Sequence, residues 1–472
     1  MKIILSIIFI SLISQLYSEA YLSGIFRDKM ILQRDKDIKV WGYGDQGDEV
    51  IVRICDQEKS TIVDDNDRWS VVFQPLKISK VPVLFELESE GIILNLEDVL
   101  IGDVWFCSGQ SNMVLSTSFA TNGQDVISRS ENPCIRLFTV TQSYELQLND
   151  EPEILDTWEY CSPVNVKDFS ATAYFFGKEL NENLDIPIGL INSSYGSSMI
   201  ESWTSMEGNI KVEGGKQYIE DVYNHQYSDL EERHYPSAIF NTMIFPFTEF
   251  AIKGFIWYQG ERNTRTDGAC YKYRFQLPVL INDWRSNWNE ETLPFYFVQL
   301  PNYKIDYNWA LMRESMKFAA ENTVNTGIAI TIDIGESDNI HPANKQEVGR
   351  RLSLLALKNT YSKKIIDSGP VYRDHTVKNE QITVDLVNTY DGLKFIGDDI
   401  TGFEIASVNR IFYDAEAYLE GGNIILSSEY VNNPVAVRYG WSSDPKCNVY
   451  NSEDLPLSPF RTDDWPLKNS GY

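Results

Sequence analysis

The chain has 472 residues, 43% of them hydrophobic and 13% aromatic, which is material for two or three packed domains and argues against disorder. Its 68 acidic residues against 41 basic ones leave a net charge of −27. A field of that sign repels polyanions, so neither nucleic acid nor an anionic membrane surface is an expected partner.

Taken in chain order, the first element reads as a leader. Lys2 supplies a positive charge, Ile3–Leu16 forms an apolar run interrupted by small polar residues and Gln15, and Ser18-Glu19-Ala20 offers a small-x-small cleavage pattern. The run is short for a membrane span. Residues 1–20 therefore read as a signal peptide, and the mature protein as soluble and secreted, with an extracellular or lysosomal destination. Six cysteines follow: Cys55, Cys107, Cys134, Cys161, Cys270 and Cys447. An even number in a secreted chain predicts disulfides, although Cys107 reads better as a small buried hydrophobe. No two cysteines form a CxxC pair and the four histidines are scattered, so no metal site is expected.

Residues 21–97 hold short alternating apolar runs between turn residues, among them Ile38–Trp41, Glu49–Ile54, Trp69–Phe73 and Val83–Leu87. This pattern predicts a small β-sandwich. Residues 98–365 change to strand–helix units. Ser170 is placed to cap a helix with Ala173, Phe176, Leu180 and Leu184 on one face, and a strand Ile186–Ile191 follows. Strands at Gly254–Tyr258 and Gly327–Ile332 come next, then a helix from about Pro342 to Lys358 with Val348, Leu352, Leu355 and Ala356 as its core stripe. Strands alternating with helices predict an α/β unit, a parallel sheet with helices on both faces. Residues 366–472 return to β texture at Ile382–Leu386, Gly402–Ile405, Asn423–Leu426 and Ala436–Tyr439.

Four polar turns follow strands of the α/β region. In the stretch Asp103–Met113 an apolar strand ends at Gly109, and Ser111 stands at the turn, exposed above the sheet. A segment Asp333–Pro342 carries His341 at a loop–helix junction, with Asp338 three residues earlier. One turn could bring that carboxylate to Nδ1 of the ring, where it would fix the tautomer while the ring takes a serine proton. Of the four histidines, His341 alone lies at the carboxyl end of an apolar strand, where open α/β sheets build their sites. Gly196, shortly beyond the strand Ile186–Ile191, is a candidate backbone donor to an oxyanion, and the turn Gly254–Asn263 adds two amides, Gln259 and Asn263.

These stretches resemble the sialate O-acetylesterase family, a branch of the SGNH (GDSL-like) hydrolases. The matching segments are Val104–Met113, Gly189–Trp203, Pro236–Pro246 (PSAIFNTMIFP), Gly254–Asn263 and Ile340–Leu352 (IHPANKQEVGRRL), with Met30–Gly44 and Val435–Asp463 near the two ends. The resemblance implies a flavodoxin-like α/β/α SGNH core flanked by N- and C-terminal β-sandwich-type domains. It implies an esterase that removes acetyl groups from sialic acids without a cofactor, through Ser111 as nucleophile, His341 as base and Asp338 as orienting acid. The oxyanion hole would be formed by the N–H groups of Ser111 and Gly196 and an amide, Gln259 in preference to Asn263. Arg262, with its neighbour Glu261, is a candidate for binding substrate, and Arg265 could meet a sialate carboxylate. Trp203, Tyr195, Trp257 and Tyr258 could stack on a sugar ring, with core packing as the plainer reading. Two positions depart from the family pattern: Asn339 stands where the acid is often found, and Ser197 where glycine is common. The alternatives are an esterase for acetylated xylan or another carbohydrate, and a non-catalytic carbohydrate-binding protein. The sequon Asn192-Ser193-Ser194 falls within a site turn and is expected to be buried and unglycosylated.

Overall fold

The protein is described here from a computed structural model covering residues 20–148, 157–227 and 229–466. The expected leader, apart from Ala20, lies outside the described residues. Among those described, no helix is long and apolar enough to cross a membrane.

A parallel sheet forms the centre. Its strands are β1 (Val99–Gly109), β2 (Asn132–Thr139), β3 (Ile188–Ser194), β4 (Gly254–Tyr258), β5 (Phe295–Val298) and β6 (Thr326–Ala329), in the order β2-β3-β1-β4-β5-β6. Glu159–Cys161 adds an antiparallel edge beside β2. All eleven residues of β1 are buried. Such a strand is stable only when covered on both faces. Phe106 packs into the layer with Phe255, Phe297, Leu277 and Met312, whereas Trp105 and Cys107 pack on the other face with Phe176, Tyr258 and Leu352.

The covering helices are α1 (Ala171–Leu184), α2 (Asp267–Asn287), α3 (Trp309–Glu321) and α4 (Lys345–Asn359). Helices α1 and α4 cover one face, α2 and α3 the other. The Ser170 hydroxyl caps α1 by accepting the Ala173 N–H at 3.2 Å. Helix α4 buries the stripe expected of it, but starts three residues later than Pro342. The reason is local: the Ala343 N–H is donated to Glu336 and its carbonyl accepts from Thr121, so Asn344 caps the helix instead, accepting the Glu347 N–H.

Antiparallel strands flank the core at both ends. Residues 21–95 form two small sheets, one built on Ile38–Tyr43 and Arg68–Phe73, the other on Glu49–Ile54 and Phe85–Ser89. They merge with the core, because Ile31–Gln33 and Ser79–Val83 pair with the first residues of β1, and Phe26 packs against Phe250. The C-terminal strands enclose a separate apolar cluster from Ile382 to Phe460. Buried Arg313 of α3 pins that region by donating to the carbonyls of Leu300, Pro301, Ser442 and Ser443. The expectation of disulfides is corrected: all six cysteines are free thiols. Cys107, Cys161 and Cys270 sit buried on separate elements, and the Cys161 thiol donates to the Ser130 carbonyl at 2.8 Å.

Gly109 ends β1 at φ +143°, where a Cβ would stand 2.1 Å from the Tyr258 carbonyl oxygen. Gly109→Ala therefore has to displace β4 as well as strain its own backbone. We expect it to lower unfolding free energy by on the order of 2–4 kcal/mol, measured by chemical denaturation, and to reduce activity disproportionately.

Candidate active site

The site is built at the carboxyl edge of the sheet. The Gln110 N–H continues the β1–β4 ladder by donating to the Tyr258 carbonyl at 2.9 Å, and the chain then turns into a single helical turn, Ser111–Val114. As the first helical residue, Ser111 has an N–H with no carbonyl four residues behind it. After β3, the Tyr195 N–H donates to the Gly109 carbonyl at 3.0 Å and holds the next loop beside the Ser111 turn. A Cβ built on Gly196 would lie 3.9 Å from the Ser111 Cβ, so the Gly196 backbone lies close against that residue. The adjacent Ser197 has φ of +59°. This left-handed conformation is easy for glycine and strained for serine, a physical reason for glycine at that position.

His341 arrives on the loop between β6 and α4. Its Nε2 lies 2.8 Å from the Ser111 Oγ, across 230 residues of chain. Asn339 grips its backbone at both ends: Oδ1 accepts the His341 N–H and Nδ2 donates to the His341 carbonyl, each at 3.0 Å. The same Nδ2 donates to Glu336, which also accepts the Ala343 N–H. Asp338 is exposed, and among the described residues no hydrogen bond joins it to His341. The imidazole titrates below its ordinary range, because half-burial disfavours the charged form and the Lys345 ammonium repels it. The ring is therefore a neutral acceptor near pH 7, the state a base needs. The other histidines are engaged elsewhere: His225 and His375 contact the hydroxyls of Tyr235 and Tyr372, and His234 is buried.

The two amides differ. Gln259 is fully buried and its Nε2 donates to the Ser198 carbonyl at 3.0 Å and to Asn263 Oδ1 at 2.9 Å, while its Oε1 accepts from Tyr273. With both protons committed, it braces the loop and has none to offer an oxyanion. Asn263 donates one Nδ2 proton to Glu201 at 3.0 Å. Glu261, expected to face substrate, is turned inward and accepts from Asn112 at 2.5 Å. Trp203, Trp257 and Tyr258 are fully buried core residues, and Tyr195 is half-buried under Arg233, whose guanidinium lies 5.9 Å from the ring centre. Asn192 is buried, its Oδ1 accepting from the Ser194 hydroxyl.

Arginines gather nearby. The Arg262 N–H donates to Gln110 Oε1 at 3.4 Å, one residue from Ser111, and its Nε is buried without a partner. Buried His234 also lacks partners at both ring nitrogens, and the charges of Arg233 and Arg265 add to its burial in depressing its pKa. Two further residues of the site, Asn112 and Lys345, did not emerge from the sequence reading. The signal was present for Lys345, a cation on the same helical face as Val348 and Leu352.

Residues 101–358, over half of the chain, match the family described as "Carbohydrate esterase, sialic acid-specific acetylesterase". The chain belongs to that family. Curated relatives include the sialate O-acetylesterases of Mus musculus, 29% identical over 91% of this chain and 92% of theirs, and of Homo sapiens, 27% identical over 93% and 91%. Among solved structures, a carbohydrate acetylesterase from Xanthomonas citri is 34% identical, covers 94% of this chain and all of its own, and superposes with a TM-score of 0.86. An esterase of this family with the geometry above makes a definite pH prediction. With His341 as base, the acid limb of kcat/KM is expected below the ordinary imidazole range, so that activity persists into mildly acidic buffer and falls as the ring protonates. A limb above that range would contradict the environment described for His341.

Proposed function

We propose that the protein is a sialate O-acetylesterase of SGNH type working through an acyl-enzyme. The observation that carries the reading is the 2.8 Å contact between Ser111 Oγ and His341 Nε2 beside the Gly196 backbone. His341 takes the Ser111 proton as Oγ attacks the acetyl carbonyl. The resulting oxyanion is held by the N–H groups of Ser111 and Gly196. Asn263 is the proposed third donor, because it keeps one Nδ2 proton while Gln259 keeps none. The C–O bond to the sugar breaks, its oxygen takes the proton from His341, and water then releases acetate by the same route in reverse. Asp338, at the exposed tip of the histidine loop, is the carboxylate proposed to accept a hydrogen bond from the Nδ1–H and so stabilise the imidazolium as it forms; such contacts often tighten only with substrate bound.

The SGNH assignment draws support from topology, since β3-β1-β4-β5-β6 has the 2-1-3-4-5 order of flavodoxin-like sheets with β2 added outside β3. Sialate as substrate draws support from the names of the relatives and from Arg233, Arg262 and Arg265, which suit a carboxylate. In so acidic a chain this grouping favours an anionic sugar. A neutral acetylated carbohydrate is the second reading, favoured by the name of the Xanthomonas citri enzyme. Secretion, proposed from the leader, fits either reading, as does a division of the mature chain near residues 97 and 365.

Acetate release from 9-O-acetyl sialic acid and from acetylated xylo-oligosaccharide tests the proposal. Ser111→Ala is expected to lower kcat by on the order of 10⁴- to 10⁶-fold, and a variant retaining most activity would remove Ser111 from the mechanism. Asp338→Asn is expected to cost ~10²- to 10⁴-fold; no loss would leave a serine–histidine pair held by Asn339 alone. Arg262→Met should raise KM for the sialate ester and spare the neutral one, and equal effects on both would favour the second reading.

A further inference from the structure

Beneath the serine–histidine contact lies a buried polar cluster that the proposed mechanism does not use. Asn112, fully buried and next to Ser111, stands at its centre. Its Nδ2 donates to Glu261 Oε1 at 2.5 Å and to the Ile340 carbonyl at 3.0 Å, and its Oδ1 accepts from Lys345 Nζ at 2.5 Å. The chemistry of the three neighbours permits only one orientation of this amide. An ammonium can only donate, and a carboxylate and a carbonyl can only accept, so a flipped Asn112 would meet every neighbour with the wrong group. The contact to Ile340 matters most, because Ile340 precedes His341. Asn112 is thus a covalent neighbour of the nucleophile and is hydrogen-bonded to the neighbour of the base.

We propose that Asn112 and Lys345 are positioning residues, a joint and its lock, that fix the spacing between Ser111 and His341. Lys345, at the first turn of α4, orients the amide from one side and Glu261 from the other, so the histidine loop is registered against the nucleophile turn rather than resting on it. The Asn112 carbonyl is held in turn by the Thr172 hydroxyl of α1 at 3.4 Å. The charged and titratable groups around Lys345 are Glu261, Glu336, His341 and the Tyr258 ring, whose centre lies 5.1 Å from Nζ. Burial pulls the Lys345 ammonium down to about 7, the two glutamates opposing that shift. While protonated, Lys345 serves the site twice, by fixing the amide and by keeping His341 unprotonated.

The proposal rests on the esterase reading, so the test pairs each variant with Ser111→Ala, using p-nitrophenyl acetate to remove sugar recognition from the comparison. Asn112→Asp keeps the shape but replaces two donated protons with a carboxylate facing Glu261 and the Ile340 carbonyl. It is expected to lower kcat by about 10²-fold with KM nearly unchanged, the scale expected for a misplaced catalytic pair. Lys345→Met keeps most of the buried volume and removes the charge. It is expected to lower kcat by about tenfold or more and to move the acid limb of kcat/KM to higher pH, a shift that packing alone would not cause. Melting temperatures separate loss of fold from loss of alignment; should Asn112→Asp fail to fold, Lys345→Met carries the test through its pH limb. Loss in Ser111→Ala with both other variants within twofold of wild type, or an unmoved limb in Lys345→Met, would overturn the proposal. Full activity in Ser111→Ala would overturn the esterase reading and this proposal with it.

Discussion

Everything in this molecule is hung on β1. A strand with eleven buried residues in succession has no face for water, so it must be covered on both sides and paired along both edges. Its neighbours β3 and β4 supply the pairing, and four helices supply the cover. What emerges at the end of that strand is placed with the rigidity of the whole sheet. Gly109 allows the close approach to Tyr258, and the serine stands two residues past it. The histidine is brought to the same spot by β6 and α4, with its own backbone gripped by Asn339. A contact spanning 230 residues therefore depends little on either loop being stiff by itself.

Electrostatics in the site run against the character of the chain. The protein carries a large negative charge, yet arginines gather around His234 and a buried lysine lies beneath Ser111. The negative field of most of the surface repels anions, and these cations offset it locally. Beneath Ser111, Lys345 and Glu261 approach the same amide from opposite sides without forming a direct ion pair. Neither buried charge is left without a hydrogen bond, a condition that burial imposes.

Much of this was legible in the residues. Alternating and continuous apolar runs identified the antiparallel flanks and the parallel core, because the period of burial differs between them. Ser170 as a cap and the stripe of α4 were legible for the same local reason. The start of α4 was not, since the Ala343 backbone is engaged by Glu336 and Thr121, partners remote in sequence. The direction of an amide is likewise invisible in sequence: which of Gln259 and Asn263 keeps a free proton shows only once Ser198 and Glu201 occupy theirs. Glu261 was expected beside Arg262 against substrate, and its burial turns it to Asn112 instead. Lys345 was legible in principle, as a charge on a buried helical face, but its partner Asn112 comes from a segment far off in the chain.

One consequence follows from the way the N-terminal strands join the core. Ile31–Gln33 and Ser79–Val83 pair with the first residues of the very strand whose far end leads into the Ser111 turn. The two regions share one hydrophobic layer as well as one strand. Melting the N-terminal sheets would strip β1 of its cover at one end and release the other, so the two should unfold in a single cooperative step. The first ninety or so residues are thus less an appendage than a foundation: a trimmed enzyme lacking them would lose its catalytic edge along with its beginning.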